Sequence, residues 1–168
     1  MVGVSRLAVR SVAWVIVSVM GILILWALAV PWSQVVPVER DVDGLWRYLD
    51  SSGHKVNMQL QANSTAELSG WPDSVGCGGP LQAPERLLED VDWRATSVFR
   101  GEWMLRSDFE GLSLHMVSSS PETCRIDIPL RMQRNIFTGE ERMLFFASGY
   151  DEPFLDRVFT FDRLGDGD

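Results

Sequence analysis

Two kinds of hydrophobic pattern divide the chain. Residues 11–30 read SVAWVIVSVMGILILWALAV, twenty residues without a charge. At 1.5 Å per residue a helix of this length spans about 30 Å, the thickness of the hydrocarbon core of a bilayer. From about Gly44 onward, apolar and polar residues alternate with a period of two, which indicates strands rather than helices. The pattern predicts an N-terminal transmembrane helix followed by a β domain.

The clearest predicted strand covers residues 124–133, in which Ile126, Ile128, Leu130 and Met132 alternate with polar residues and one proline. Such alternation gives a strand one buried face and one face in water. Further stretches with the same pattern are residues 56–61, 66–68, 99–105, 112–116, 142–148 and 157–163. About seven or eight antiparallel strands at short intervals predict a mainly β fold, a small antiparallel β-barrel or sandwich.

These patterns divide the chain into five parts. Residues 1–10 are predicted to be a cytoplasmic N-terminus, and residues 11–30 the transmembrane helix. Residues 31–43, which include Pro31 and Pro37, are expected to form an extended linker. Residues 44–163 would form the extracytoplasmic β domain, and residues 164–168 a disordered tail.

Charge supports this topology. Residues 1–38 carry Arg6 and Arg10 and no acid, a net charge of +2, whereas the remainder carries 13 basic and 23 acidic residues, a net charge of −10. The positive-inside rule places the N-terminus in the cytoplasm and the β domain outside it. An acidic domain repels phosphate groups, so the sequence argues against a nucleic-acid partner and against binding to anionic lipid surfaces.

A cleaved signal peptide is the alternative to an uncleaved membrane anchor. Ala27-Leu28-Ala29 has the small-x-small form of a cleavage site. The apolar run is longer than the ~7–15 residues of a usual signal peptide, and Pro31 follows closely, so an anchor is favoured. Both alternatives place the β domain outside the cytoplasm.

The cysteines are Cys77 and Cys124, and both lie in the exported part. An oxidising compartment predicts a disulfide between them, the alternative being two unpaired buried thiols. The bond would attach a long irregular segment, residues 71–97, to the predicted strand at 124–133. Within that segment, residues 85–92 are expected to form one or two helical turns with Pro84 at the first position. Such an insertion often carries function, although a Gly/Pro-rich loop held by Cys77 is the simpler interpretation.

The sequence contains no recognisable catalytic or metal-binding constellation. His54 falls in a predicted turn and His115 on the polar side of a strand, and their spacing to the cysteines fits no zinc site. Acidic pairs such as Glu89-Asp90, Glu140-Glu141 and Asp151-Glu152 are expected by chance in so acidic a domain. The segment from Asp151 to Asp156 offers oxygen ligands for Ca²⁺ but lacks the ligand order of an EF-hand. We therefore predict no catalytic residue, no metal and no cofactor, and a protein that is not an enzyme.

Two short motifs carry a family resemblance. Gly44-Leu45-Trp46 and Gly101-Glu102-Trp103 resemble the Gly-x-Trp signature of lipocalin-like β-barrels. The resemblance implies that Trp46 packs across the closed end of a barrel, under Arg163 or Arg157 of the last strand, and that Trp103 also lies in the core. In this chain length a filled interior is expected rather than a hollow one.

A broader resemblance is carried by the segments GLWRYLD, TAELSGWP, FRGEWMLR and RVFTFDR. They are similar to small secreted or membrane-anchored β-domain proteins of high-GC Gram-positive bacteria. This resemblance implies a fold and a location at the cell membrane, and it implies no activity.

A single anchor and a compact β domain predict an extracytoplasmic binding or interaction module. Its partner would be another envelope protein, a lipid or a small apolar ligand. The expected contact residues are aromatic side chains in predicted loops: Trp71, Trp93, Phe109 and Phe154. The alternative role for these rings is to cover the ends of the barrel. The alternative functions are an envelope-located inhibitor or immunity-type protein and a carboxylate-dependent hydrolase.

The topology can be tested with a fused reporter. A reporter enzyme that works only outside the cytoplasm, fused after Asp168, should be active, because Arg6 and Arg10 hold the N-terminus inside. The same fusion lacking residues 11–30 should be inactive. Activity of a cytoplasm-specific reporter at the same position would contradict export of the domain.

Overall fold

The computed structural model describes residues 31–83, 86–108, 111–118, 123–148 and 155–165, together with Val17, Val19 and Met20. The predicted cytoplasmic N-terminus and the rest of the predicted transmembrane segment lie outside the described residues, as do residues 166–168 of the predicted tail. Among the residues that are described, no helix combines the length and the apolar character needed to cross a membrane.

The described residues form a mainly β structure, which confirms the predicted class. The strands are β1 Trp32–Val35, β2 Gly44–Leu49, β3 Lys55–Leu60, β4 Thr65–Pro72, β5 Thr96–Arg106, β6 Gly111–Ser118, β7 Cys124–Asn135, β8 Glu141–Phe146 and β9 Val158–Arg163. From β2 to β9 each strand pairs antiparallel with the next, and β9 pairs with β2. Of the two predicted architectures, the chain therefore adopts the closed barrel of eight strands, with β1 as an extra strand.

The segment predicted to be an extended linker, residues 31–43, contains a strand and a short helix. β1 pairs with the last part of β7, where Val35 lies opposite Met132, whereas β6 pairs with β7 only up to Leu130. The longer strand β7 would otherwise leave backbone N–H and C=O groups unpaired at this edge, and β1 satisfies them. A short helix, α1 (Glu39–Val42), then leads into β2.

The interior of the barrel is filled by large side chains. The inward faces of the strands contribute fully buried aromatic rings and aliphatic side chains, the largest being Trp46, Trp71, Phe99, Phe145, Phe159 and Phe161. These rings belong to one continuous hydrophobic core. Their burial, at about 25 cal/mol per Å² of apolar surface, is the main stabilising term of such a domain.

The lower end of the barrel, where β2 begins and β9 ends, is closed by α1. Val42 of α1 is fully buried, and the indole Nε1 of Trp46 donates to its carbonyl oxygen at 2.9 Å. The Arg163 guanidinium lies 5.4 Å from the centre of the Trp46 ring. Of the two arginines considered for this position, Arg163 therefore occupies it.

The backbone requires a glycine in each Gly-x-Trp motif, for a different reason in each. Gly44 has φ +139°, a backbone conformation that residues with a Cβ rarely adopt. A Cβ at Gly101 would lie 1.9 Å from the carbonyl oxygen of His115 in β6. Trp103 is buried and donates from Nε1 to the carbonyl oxygen of Gln61 at 2.8 Å. Each motif thus joins a backbone position that only glycine fits to an indole at the lower end.

The upper end, where β2 ends and β3 begins, is covered by the long β4–β5 connection. Val75 and Val91 of this connection are buried, and the disulfide from Cys77 to Cys124 attaches it to β7. The predicted disulfide is confirmed. The expected helical turns at 85–92 are reduced to one 3-10 turn, Leu88–Asp90, and Pro84 and Glu85 lie outside the described residues. A segment this short does not offset the cost of helix nucleation.

Truncation of the indole at the closed end should destabilise the fold. We expect Trp46→Ala and Trp103→Ala each to lower the free energy of unfolding by about 3–5 kcal/mol, since each leaves a cavity and unpaired carbonyl groups. Urea unfolding of the full chain in a mild detergent, followed by circular dichroism, measures the change. Leu49→Ala, at a side chain that is 63 % exposed, is the control and should have little effect. Midpoints equal to the parent's in both tryptophan variants would contradict this assignment.

Candidate functional site

A cleft of about 590 Å³ opens at the upper end of the barrel, between the β2–β3 turn and the β4–β5 connection. Its lining combines aromatic, apolar and acidic residues: Tyr48, Asp50, Ser51, Ser52, His54, Leu88, Glu89, Val91, Asp92, Trp93 and Arg94. We call it the upper cleft.

The aromatic wall of the upper cleft is built on Trp93. This half-buried ring is nearly parallel to the His54 ring, with centroids 4.7 Å apart, and to the Tyr48 ring, with centroids 5.9 Å apart. Tyr48 in turn packs on Phe159 of the core, with a centroid distance of 4.9 Å. The wall is therefore continuous with the core, and its exposed edge is held in one orientation before any ligand arrives.

Asp50 holds the β2–β3 turn and orients His54. Its carboxylate accepts hydrogen bonds from His54 Nδ1 at 2.7 Å, from the His54 amide at 2.8 Å and from the Ser52 amide at 2.9 Å. Burial opposes ionisation of Asp50, but the hydrogen bonds from His54 and Ser52 outweigh it and hold its pKa below the usual range. The cleft thus contains a fixed negative charge at neutral pH.

The electrostatic character of the upper cleft is acidic. Arg94 donates to both carboxylate oxygens of Asp92, at 2.9 and 2.6 Å, so its charge is largely compensated within the pair. The hydrogen bonds from Arg94 lower the pKa of Asp92 to about 2. Asp50 and Glu89 add further negative charge beside the aromatic wall. An aromatic surface next to carboxylates attracts cationic and amphipathic groups.

The residues expected to contact a partner have different locations. Trp93 lies in the upper cleft, but Trp71 is fully buried and donates from Nε1 to the carbonyl oxygen of Val75 at 2.7 Å. Trp71 was expected to be a surface residue in a loop, but it belongs to β4 and its ring faces the interior. It therefore has no free surface for a partner. Phe109 and Phe154 lie outside the described residues.

Sequence reasoning missed Tyr48, Asp50 and His54 as parts of one site. His54 was predicted to lie in a turn, and that prediction did not include the stacking of its ring on Trp93. The usable signal was an acid and a histidine four residues apart across a short turn, which allows the carboxylate to bind the ring and the intervening amides. The contact with Trp93, thirty-nine residues after His54, left no local signal.

Other titratable groups are arranged on the outside of the barrel. His115 in β6 lies opposite Glu102 and Asp127 in the neighbouring strands, and its Nδ1 is hydrogen-bonded to the Asp127 carboxylate. Glu141 forms ion pairs with Arg134 and Arg163. No group of three or more His, Cys, Asp or Glu residues suited to a metal ion occurs in the described part of the chain. The acids at 151 and 152 lie outside it.

A second cleft, of about 660 Å³, lies at the lower end and is lined by Trp32, Glu140, Glu141, Asp162 and Arg163 among others. It is slightly larger than the upper cleft, but Glu141 and Arg163 already bond to each other at 2.7 Å in closing the barrel. Burial raises the pKa of Asp162 here. The upper cleft, with a partly buried indole in its lining and carboxylates that are not part of the closure, is the better candidate site.

Comparison with protein-family models, with curated proteins and with solved structures found no match to this chain. The geometry of the upper cleft therefore carries the functional argument.

The phenol of Tyr48 provides a spectroscopic test of the cleft. Burial and the charge of Asp50 raise its pKa to about 12. In a Tyr150→Phe background, which leaves Tyr48 as the single tyrosine, absorbance at 295 nm should show ionisation well above the usual value of about 10. Asp50→Asn should move this transition downward.

The raised pKa of Tyr48 also determines how the stability of the fold changes with pH. The folded state favours the protonated phenol of Tyr48. Its contribution to the free energy of unfolding is therefore complete below pH 10 and is lost as the pH rises towards 12. A tyrosine that titrates at the same pH in the folded and urea-unfolded chain would contradict the packing of Tyr48 against Phe159.

Proposed function

We propose that this protein is a membrane-anchored, extracytoplasmic binding module that holds a partner in the upper cleft and catalyses no reaction. The observation that carries the proposal is Trp93, a partly buried indole stacked on His54 and Tyr48 beside fixed carboxylates. Indole rings held in this way are common anchors of binding energy in interfaces.

The filled interior supports a partner bound at the rim. Trp46, Trp71 and Phe159 occupy the space in which a hollow barrel would hold a small apolar ligand. The upper cleft, in contrast, is open to solvent and partly charged. Its shape suits a side chain or a short segment of another envelope protein better than an enclosed lipid tail.

The position of the upper cleft agrees with anchoring at the other end. The continuously described part of the chain begins with Pro31 and β1 at the lower end, directly after the predicted transmembrane segment. In a chain anchored there, the upper cleft is on the side of the barrel away from the membrane. A partner in the envelope would have unobstructed access to it.

The chemistry of the cleft suggests a partner segment that combines a basic and an apolar side chain. The apolar group would pack on Trp93, and the basic group would lie near Asp50 or Glu89. The exported part carries a net charge of −10, which would speed the approach of a cationic partner and make it sensitive to salt.

Short synthetic peptides test this proposal. Fluorescence titration of the full chain in phosphatidylcholine nanodiscs should show binding of peptides that pair arginine or lysine with leucine or tryptophan, and weaker binding of their glutamate counterparts. Trp93→Ala should lower the affinity about tenfold or more, the equivalent of at least about 1.4 kcal/mol. Leu49→Ala, exposed at the same end but not part of the cleft lining, is the matched control and should bind like the parent.

Two results would contradict different parts of this proposal. Equal affinities of the parent and Trp93→Ala would remove the upper cleft as the binding site. Cleavage of the peptides that is lost in Asp50→Asn would favour a carboxylate-dependent hydrolase instead.

A further inference from the structure

The lower end of the barrel carries an exposed apolar tip. Ile136 and Phe137, in the turn between β7 and β8, are 54 % and 59 % exposed. The amide of Ile136 donates to the carbonyl oxygen of Pro31 at 2.8 Å. This hydrogen bond places the apolar tip beside the first residue after the uncharged segment 11–30.

The turn holds these side chains outward. The Asn135 side-chain oxygen accepts hydrogen bonds from the amides of Phe137 at 2.9 Å and Thr138 at 3.2 Å. The backbone of Asn135 pairs with Glu140 at 2.8 Å and with Gly139 at 2.9 Å. The backbone of the turn is therefore held by hydrogen bonds within the turn itself. This fixed backbone keeps the side chains of Ile136 and Phe137 exposed.

A third apolar group lies at the same end. Trp32, the first residue of β1, is opposite Asn135, and the Arg142 guanidinium lies 3.9 Å from the centre of its ring. Tryptophan and arginine are frequent at the boundary between lipid headgroups and hydrocarbon, where an apolar body and a polar group are both accommodated.

We infer that the lower end rests on the lipid bilayer, with Ile136 and Phe137 inserted at the boundary between headgroups and acyl chains and Trp32 beside them. The inference rests on the proposed membrane anchor. If the transmembrane helix ends at Val30, Pro31 is the next residue, and consecutive Cα atoms are only about 3.8 Å apart. Because the apolar tip is hydrogen-bonded to Pro31, it would then lie at the membrane surface.

The charges of the domain specify the lipid. The exported part carries a net charge of −10, which opposes binding to anionic headgroups, so insertion depends on apolar contact and suits a zwitterionic surface. Glu140, the acid of the same turn, accepts a hydrogen bond from the Thr138 hydroxyl at 2.9 Å. Contact at this tip, in addition to the anchor, would hold the barrel axis upright and the upper cleft away from the bilayer.

The test uses single cysteines labelled with an environment-sensitive fluorophore. Both native cysteines are bonded to each other, so Ile136→Cys or Phe137→Cys supplies the one reactive thiol. Leu49→Cys, 63 % exposed at the opposite end, is the matched control. The full chain is placed in phosphatidylcholine nanodiscs, and quenching by nitroxide-labelled phosphatidylcholine is compared with quenching by aqueous iodide.

Insertion predicts a blue-shifted emission and a lipid-to-iodide quenching ratio several-fold higher at 136 and 137 than at 49. Equal ratios at the three positions would overturn the inference, as would shielding from iodide that depends on protein concentration without lipid quenching, which indicates contact with a second copy. Flotation of the unlabelled chain with phosphatidylcholine vesicles after an alkaline wash tests the anchor separately. A chain that floats but has a water-exposed tip refutes only the insertion, whereas a chain that does not float refutes the anchor and the insertion together.

Discussion

The contact between Arg163 and Trp46 is the interaction on which the closed barrel depends. Arg163 is the last residue of β9, and its guanidinium donates to the carbonyl oxygens of Asp41 and Asp43 at 3.1 and 2.6 Å and to the Glu141 carboxylate at 2.7 Å. One side chain thus connects the last strand, the helix α1 and the eighth strand above the buried indole. Charged hydrogen bonds of this kind contribute more than neutral ones, and loss of the donor would leave several acceptors unpaired at once.

Closure at the lower end and the disulfide at the upper end leave the barrel with two different surfaces. At the lower end, α1 and the indoles of Trp46 and Trp103 cover the core. At the upper end, the β4–β5 connection covers it, attached by the bond from Cys77 to Cys124. Since the interior is filled, the proposed partner would have to bind on the outside of the barrel. The upper cleft and the apolar tip at Ile136 and Phe137 lie at opposite ends, as the proposed contacts with a partner and with a membrane require.

The wall of the barrel also departs from simple alternation in one place. Leu144 and Phe146 of β8 and Val158 of β9 point outward, yet they are buried and form a second apolar cluster outside the barrel core. The uninterrupted apolar run from Met143 to Ala147 agrees with a strand that is covered on both faces. The Arg131 guanidinium lies 5.8 Å from the centre of the Phe146 ring. These outward-facing residues are therefore part of the packing and not a free surface.

The sequence by itself determined the mainly β class, the approximate strands, the disulfide and the aromatic residues of the two Gly-x-Trp motifs. These features depend on local alternation, on turn residues and on two cysteines in one compartment, all of which are written in short stretches of sequence. Only the tertiary structure decided between barrel and sandwich, because that choice depends on the pairing of β9 with β2, which lie more than a hundred residues apart. It also decided that Trp71 is buried while Trp93 lines a cleft. Both are tryptophans close to one irregular segment, and their difference arises from register in β4 and from contacts with Tyr48 and His54, which no local pattern encodes.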